Sequence, residues 1–396
     1  MSRSSDAASL SAYLEARQAT YLEELRQLCA IECPTDSKAG VSEAAAWVRR
    51  WAERRGWDTQ VFSDDTAGDS VVVTVRGAGR LRALLVAHLD TVYPVGVAAE
   101  RPLRIEGDIL LAPGSCDNKS GLLSALYAAA ALEDLGLLGA IGTISIVCGS
   151  DEETDMRASA ALLRDIAPGH DMALVLEAAR ENGDIVSARK GGGSFLLEAH
   201  GRAAHAGVEP ERGANAILAL ARQIVALQAL NGMCPEMTLN VGVVRGGTRP
   251  NVVPDYACAE IDVRIARPED REPVLRAMER VAAEPGVAGV TSRLSGGWTA
   301  APMPRTPQIA ALAELTRACA AELGFSVNDA ATGGISYANL LAGLGLPVLD
   351  GLGPVGGLDH SPREYIRVSS IVPRTALLAL LLLRAGELLG RGALRP

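Results

Sequence analysis

The stretch IGTISIVCGSDEET, residues 141–154, joins an apolar run to three consecutive acids. The apolar run predicts a buried β-strand, and Asp151, Glu152 and Glu153 follow at its carboxyl end. In open α/β sheets, ligands bind at the carboxyl ends of the strands. Three neighbouring carboxylates repel one another, which favours a nearby cation or a special protonation role. Taken alone, however, the acids are more typical of a solvent-exposed turn.

The composition is that of a globular, acidic protein. With 48% hydrophobic and 21% charged residues, the 396-residue chain is long enough for two or three domains. Its net charge of -9 disfavours binding to nucleic acid or to an anionic membrane. An aromatic content of 4% leaves little surface for stacking on single strands. We therefore expect no nucleic-acid partner and no membrane partner.

Cysteine usage and the terminal segments predict a cytoplasmic protein. The seven cysteines form no Cys-x-x-Cys pair, which suits a reducing compartment better than a disulfide framework. The amino-terminal residues contain no signal-peptide core. The most apolar segment, 375–383, lies between Arg374 and Arg384 and is too short to span a bilayer. We expect this segment to form a buried helix.

The order of predicted elements indicates an α/β domain with an insertion. Strands and helices alternate through residues 1–189, which predicts a largely parallel sheet with helices on both faces. Residues 190–298 follow the order β-α-β-β-α-β instead, which is typical of a ferredoxin-like α+β unit. Helix–strand alternation returns over residues 299–396. The first domain is therefore predicted to be discontinuous.

Two histidines lie beside acids just beyond predicted strands. His88 ends a buried strand, and Asp90, two residues later, points to the same side. Its carboxylate can hold the imidazole in one tautomer, as in many metal-binding histidines. His360 lies in a loop directly after Asp359. Singly, each histidine is more typical of an ordinary structural residue.

A parallel sheet gathers its strand ends onto one edge, so several polar residues are expected to meet there. The set consists of His88, Asp117, Glu152, Glu153, Glu177 and His360. Imidazoles and carboxylates in this mixture suit Zn²⁺ or a similar divalent ion. The set is too large for one tetrahedral ion. It fits two ions that share one carboxylate and hold a water or hydroxide for hydrolysis.

The same motifs resemble those of the zinc-dependent M20 peptidase family, which includes glutamate carboxypeptidases, aminoacylases, acetylornithine deacetylases and succinyl-diaminopimelate desuccinylases. The resemblance rests on His88-Leu89-Asp90, 114–121, Asp151-Glu152-Glu153, Glu177 and His360-Ser361, and on 201–206, 249–254 and 262–264 in the insertion. The motifs span nearly the whole chain in the family's order. The resemblance implies a phosphorylase/hydrolase-like catalytic domain and an inserted lid and dimerisation domain, and hence a homodimer.

By position, the resemblance implies a centre with two divalent metal ions, zinc by preference, with cobalt or manganese as substitutes. Asp117 would bridge the two ions. His88 and Glu177 would complete one site, and Glu153 and His360 would complete the other.

The resemblance also implies catalytic and substrate-binding roles. Glu152 would act as the general base, Asp90 would orient His88, and His205 would stabilise the oxyanion. A guanidinium such as Arg264 can pair with both oxygens of a substrate carboxylate. An alternating strand also places charges on its solvent face, which is the simpler explanation for that residue. The implied substrate contacts are Asn251, Arg264, Gly333 and Gly334.

These roles predict a hydrolase that cleaves an amide bond next to a free carboxylate. A metal-bridging hydroxide, helped by Glu152, would release a C-terminal amino acid from a small peptide or N-acyl amino acid, as in a glutamate carboxypeptidase. The alternatives are an N-acyl-amino-acid deacylase and a catalytically silent binding protein with the same fold. One residue departs from the family pattern: Tyr337 stands where an aspartate is usual, which affects the expected substrate more than the chemistry.

Overall fold

The computed structural model describes residues 3–154 and 156–390. The helices in these ranges are α1 Arg3–Glu15, α2 Gln18–Ala30, α3 Lys38–Glu53, α4 Val97–Glu100, α5 Ser120–Asp134, α6 Arg157–Ile166, α7 Ala216–Gln228, α8 Arg271–Ala283, α9 Pro307–Glu322, α10 Tyr337–Gly343 and α11 Val368–Gly390. The strands are β1 Asp58–Phe62, β2 Ser70–Arg76, β3 Leu81–His88, β4 Arg104–Glu106, β5 Ile109–Leu111, β6 Ile141–Gly149, β7 Met172–Val175, β8 Ile185–Arg189, β9 Gly191–His200, β10 Thr238–Gly246, β11 Tyr256–Ile265, β12 Thr291–Ala300, β13 Asp329–Thr332, β14 Val348–Leu349, β15 Gly356–Gly357 and β16 Tyr365–Arg367.

The chain folds into two compact units. The first contains the described parts of residues 1–187, 305–331 and 336–396. The second contains residues 188–304 and the short segment 332–335. The sequence prediction placed the limits of the insertion at 190 and 298, and it assigned the short segment to the catalytic part.

The first unit is built on a six-stranded sheet with the order β1-β2-β6-β3-β7-β14. Strands β6, β3, β7 and β14 run parallel, whereas β1 and β2 pair antiparallel at one edge. The central strands are almost wholly buried because their residues are apolar, which is typical of parallel strands covered by helices. The predicted α/β fold with an inserted α+β domain is confirmed.

A second, smaller sheet in the first unit was not predicted from the sequence. Its order is β15-β16-β5-β4, and all its pairs are antiparallel. The strands have two or three residues each, too few for a periodic pattern to be recognised. The sheet places the turn after β5 beside the loop that joins β15 and β16.

The second unit is an antiparallel sheet with the order β10-β11-β9-β12 and two helices. Its core contains apolar residues that alternate along β11, such as Ile261, Val263 and Ile265, whereas Glu260 and Asp262 are exposed. This alternation is expected for a sheet with one covered face. Helix α7 contacts β9, β10 and β11, and α8 contacts β12. The elements follow the predicted β-α-β-β-α-β order along the chain.

Helix α11 contains the most apolar segment of the chain. By length and composition it is the one helix in the described residues that could cross a membrane, and 72% of its apolar window is buried inside the protein. The residues from Ala376 to Leu383 are at most 4% exposed. The helix is longer than the predicted apolar segment, but the expected burial is confirmed. All seven cysteines are free and buried.

Candidate metal centre

Three neighbouring strands of the six-stranded sheet end side by side. β3 ends at His88, which lies opposite Gly149, the last residue of β6. β7 pairs with β3 on its other side and ends shortly before Glu177. Parallel pairing therefore brings His88, the acidic turn after Gly149 and Glu177 to one edge of the sheet.

Asp117 reaches the same edge from the turn after β5. The turn Ser115–Lys119 is a wide, π-type helical turn that leads into α5. Gly114, just before it, has a φ of 72°, and a Cβ there would lie 2.8 Å from the Thr91 side chain. A glycine is therefore needed for both its conformation and its small size.

Each oxygen of the Asp117 carboxylate faces a different imidazole. Oδ1 is 2.8 Å from Nε2 of His88, and Oδ2 is 3.1 Å from Nε2 of His360. Glu177 Oε1 lies 4.0 Å from the first nitrogen, and Glu153 Oε2 lies 3.0 Å from the second. The structure thus brings these five residues into two groups that share Asp117. Within each group the possible ligand atoms lie within 4.8 Å of one another.

Asp90 connects His88 to the acidic turn. Nδ1 of His88 is 2.9 Å from the backbone oxygen of Asp90 and 3.3 Å from its Oδ1. A carbonyl oxygen only accepts hydrogen bonds, so Nδ1 carries a proton and Nε2 is directed at Asp117. The Asp90 carboxylate also accepts the backbone N–H groups of Glu152 and Glu153, each at 3.1 Å. One fully buried side chain therefore orients both parts of the site.

Burial and close contacts between carboxylates and imidazoles shift the pKa values of the cluster. Burial raises the pKa of Glu152 to about 8, and the charge of Asp117 acts in the same direction. Burial likewise raises the pKa of Glu153 to about 7. The hydrogen bond to Asp117 raises the pKa of His360 to about 9. Burial opposes ionisation of Asp117, but His88 and His360 stabilise its charge and lower its pKa. The cluster therefore retains protons that a bound cation would displace.

The first acid of the turn, Asp151, supports the backbone rather than the cluster. Its carboxylate accepts the N–H groups of Ala158 at 2.8 Å and of Ser159 at 3.0 Å, near the start of α6. The Ser159 hydroxyl also donates to Asp151 and accepts from the Tyr337 hydroxyl at 2.8 Å. Tyr337 is fully buried, so it supports the turn from within. The departure from the family pattern at this position therefore places a buried tyrosine behind the acidic turn.

Two of the remaining predicted site residues are exposed residues of the second unit. His205 is exposed, in a loop that forms an isolated bridge with Val252. Asn251 is also exposed, and its backbone carbonyl accepts the N–H of Ala206 at 3.0 Å.

Arg264 and the glycine loop belong to the second unit as well. Arg264 is partly buried on β11, and its Nε and Nη2 atoms each lie 2.9 Å from an oxygen of Asp262. Gly333 and Gly334 are exposed, and the Gly334 carbonyl accepts from the Arg189 guanidinium at 3.1 Å. These contacts are local to the second unit.

The residues of the cluster fit divalent cations. Glu177 Oε1 is buried and accepts no hydrogen bond from the described residues, which is costly for a carboxylate oxygen. A cation held with His88 and Asp117 would satisfy that oxygen. The second group, Asp117, Glu153 and His360, offers the same mixture of imidazole and carboxylate donors, which is suited to zinc and related ions.

The sequence analysis missed two residues that form hydrogen bonds to the cluster or to the turn that carries Asp117. The Thr35 hydroxyl donates to Asp90 Oδ2 at 2.7 Å, and nothing in the sequence connects positions 35 and 90. Glu364 is a buried carboxylate beside the Asp117 turn. Its only signal in the sequence is its place close after His360.

Comparison with known proteins agrees with this geometry. Residues 187–290 match the family described as the M20 peptidase dimerisation domain. The chain is 28% identical to carboxypeptidase G2 from Pseudomonas sp. (strain RS-16), over 93% of this chain and 90% of that protein. It is 29% identical to an acetylornithine deacetylase from Myxococcus xanthus, over 57% of this chain and 62% of that protein.

A solved structure shows the same fold. The aminopeptidase PepT from Bacillus cereus ATCC 10987 superimposes with a TM-score of 0.80 and 24% sequence identity. The superposition covers 92% of this chain and 98% of that one.

Proposed function

We propose, on the premise that this chain is a hydrolase of the M20 peptidase family, that it cleaves an amide bond next to a free carboxylate and releases a C-terminal amino acid. The supporting observation is the placement of Asp117 between two imidazoles, with one carboxylate oxygen directed at each. A carboxylate shared in this way suits a bridging ligand. Enzymes of this family are metal-dependent, and we infer that this centre holds two divalent ions, zinc by preference.

We assign each cation three residues of this chain. His88, Asp117 and Glu177 would hold one ion, and Asp117, Glu153 and His360 would hold the other. Ions held there would supply Lewis-acid chemistry, which polarises a carbonyl and lowers the pKa of water. The backbone carbonyl of Asp90 keeps Nε2 of His88 available by accepting the hydrogen bond that Nδ1–H donates.

Glu152 is proposed as the general base. Its backbone N–H is held by Asp90 at 3.1 Å, and its burial raises the pKa of its carboxyl to about 8. A group that gains and loses a proton near neutrality is suited to take a proton from the attacking water and return it to the leaving amine. Glu153 has a similarly raised pKa, but its Oε2 is directed at His360. This contact favours a ligand role for Glu153 and leaves Glu152 for proton transfer.

Substrate recognition is assigned to the second unit. Arg264 is proposed to bind the substrate carboxylate through its guanidinium, two nitrogens of which already contact Asp262. A Cβ at Gly192 would lie 2.6 Å from Cδ1 of Ile335 and 3.0 Å from Nη1 of Arg264, so a larger residue there would crowd the guanidinium. Asn251, Gly333 and Gly334 are proposed as further contacts. His205 is proposed to stabilise the oxyanion.

We propose that the chain forms a homodimer through the insertion. Strand β10 is an edge of the four-stranded sheet and exposes Val243 and Val244. Helix α7 of the same unit exposes Val225, at 71% of its full accessible surface. Apolar residues on an edge strand and a neighbouring helix favour burial against a second chain. Light scattering of the purified protein tests this proposal, and a monomer at micromolar concentration would contradict it.

An N-acyl-amino-acid deacylase is the second candidate, favoured by the similarity to acetylornithine deacetylase. The deciding experiment strips the protein with a chelator, restores zinc or cobalt, and compares folate-type glutamyl amides and dipeptides with N-acetyl amino acids. We expect chelator-sensitive release of a C-terminal amino acid. Faster release from N-acetyl amino acids would favour the deacylase. No bound metal and no activity after metal addition would support a silent binding protein and contradict both enzymes.

A further inference from the structure

One buried carboxylate outside the proposed ligand set joins two loops that carry ligands. Glu364 is 3% exposed and lies at the end of the loop between β15 and β16, the loop that contains His360. Its Oε2 accepts the N–H of Gly114 at 2.9 Å. Its Oε1 accepts the N–H groups of Cys116 at 2.7 Å and of Asp117 at 3.0 Å. The side chain of one loop therefore holds the backbone of the other.

The chemistry of this contact requires a group that only accepts hydrogen bonds. Three backbone donors converge on Glu364, and an ionised carboxylate can satisfy all of them because both of its oxygens accept. A glutamine of the same shape has one acceptor oxygen, and its NH₂ group would face at least one backbone N–H. The turn would then have to move or leave a buried donor unpaired.

The position of the turn matters because it carries Asp117. Both carboxylate oxygens of this residue are used, one toward His88 and one toward His360. Asp117 is also the single member common to the two candidate cation groups. A shift of its backbone would therefore disturb both groups together.

We propose that Glu364 is a positioning residue for the cation centre, which holds Asp117 between His88 and His360 by accepting three N–H groups of the 114–117 turn. The inference rests on the proposed two-cation function. It adds a residue that touches neither cation and that acts through the bridging carboxylate. Groups that orient a ligand in this way commonly change metal affinity about 10- to 100-fold when they are replaced.

The loop that carries Glu364 has supports of its own. The Ser361 hydroxyl donates to the Leu358 carbonyl at 2.6 Å, and the Tyr93 hydroxyl donates to the Ser361 carbonyl at 2.9 Å. The contact between Ser361 and Leu358 does not involve the Glu364 side chain. The Tyr93 hydroxyl also interacts with the Glu364 carboxylate, but its bond to the Ser361 carbonyl is separate from that carboxylate. We therefore expect Glu364→Gln to act mainly on the Asp117 turn, while His360 keeps its place.

The test compares cation binding by full-length variants. Chelator-treated wild type, Glu364→Gln, Glu364→Asp and His360→Ala are titrated with Co²⁺, followed by absorption and calorimetry. Glu43→Gln is a matched control, because Glu43 is exposed on α3. We expect wild type and control to bind two equivalents. Glu364→Gln should bind both equivalents about 10- to 100-fold more weakly, whereas His360→Ala should lose mainly one.

Each outcome decides the proposal. Wild-type affinity for both equivalents in a folded Glu364→Gln protein would overturn it, and so would the loss of one equivalent only. Circular dichroism of the metal-free proteins establishes folding. If Glu364→Gln does not fold, the cobalt affinity of Glu364→Asp tests the proposal instead. The aspartate keeps both acceptor oxygens on a side chain that is one carbon shorter. An intermediate loss supports the proposal, and wild-type binding contradicts it. If the wild type binds no cobalt, the two-cation function itself fails, and this inference fails with it.

Discussion

The cluster at the sheet edge and the proposed substrate residues of the insertion differ in how they are held. Asp90 and His88 are at most 1% exposed, and hydrogen bonds from several loops fix them. His205 and Asn251 are exposed in loops of the second unit. Apart from His360, which is exposed, the cluster is buried or partly buried and is organised before anything binds. The exposed residues of the insertion have few fixed contacts. Buried polar groups must be satisfied by their surroundings, so a change in the cluster should affect both cations and catalysis. A change in the insertion should affect substrate binding.

The largest effect is expected for Glu152→Gln. The variant keeps the size of the side chain but removes the proton acceptor, so kcat should fall by about 10²- to 10⁴-fold. Metal content, measured by elemental analysis, should stay near wild type because Glu152 is not assigned as a ligand. Glu43→Gln controls for the loss of one negative charge. Loss of metal from Glu152→Gln would move this residue into the ligand set and break the proposed division of roles.

A smaller but broader effect is expected for Asp90→Asn. The Asp90 carboxylate accepts from Glu152, Glu153 and Thr35, and an amide cannot accept all three on its single oxygen. Both cation affinity and kcat should fall, each by about 10- to 100-fold. Calorimetry with zinc and steady-state kinetics give the two values. Thr35→Val, which removes one donor and keeps the shape, should have a weaker effect in the same direction.

In the insertion, Arg264→Ala should raise KM and leave metal content unchanged. A charge-assisted hydrogen bond to the substrate carboxylate contributes about 1.5–3 kcal/mol to binding. Because Arg264 is partly exposed, solvent screening lowers this contribution, and we expect KM to rise about 10-fold. Asp262→Asn is the matched control, since it removes the internal partner and leaves the guanidinium in place. A fall in metal affinity for Arg264→Ala would contradict the separation of the two regions.

The smallest effect is expected from pH on the stability of the chelator-treated protein. Burial raises the pKa of Glu153 to about 7 and that of Glu152 to about 8, above the ordinary value of 4.5. Protonated forms are therefore favoured by folding. The contribution of these protonated carboxyl groups to the stability of the folded state is complete below about pH 4.5. It is lost as the pH rises through 7 and 8. The unfolding midpoint should decrease as the pH is raised from 6 to 9. Bound zinc should make that decrease smaller. An unfolding midpoint that rises over this pH range would contradict the raised pKa values of these two buried carboxyl groups.

The sequence predicted the site where a local pattern of residues sets the arrangement of the strands. An apolar run predicts a buried strand, and alternation with helices predicts parallel pairing, so the acids after β6 and His88 after β3 were expected at one edge. The structure brings them together there with Asp117. Tyr337 shows the opposite case. The sequence shows only that it stands where the family pattern has an aspartate, whereas the structure shows that its hydroxyl points inward to Ser159.

The sequence by itself determined the fold class, and it predicted the order of the domains and the residues of the cluster, because these depend on hydrophobic period and on motif order. Only the tertiary structure decided how the cluster is held. Thr35 reaches Asp90, and Glu364 reaches the Asp117 turn across 247 positions of the chain. Such contacts leave no periodic signal, since each depends on two loops whose relative position is set by packing of the whole unit.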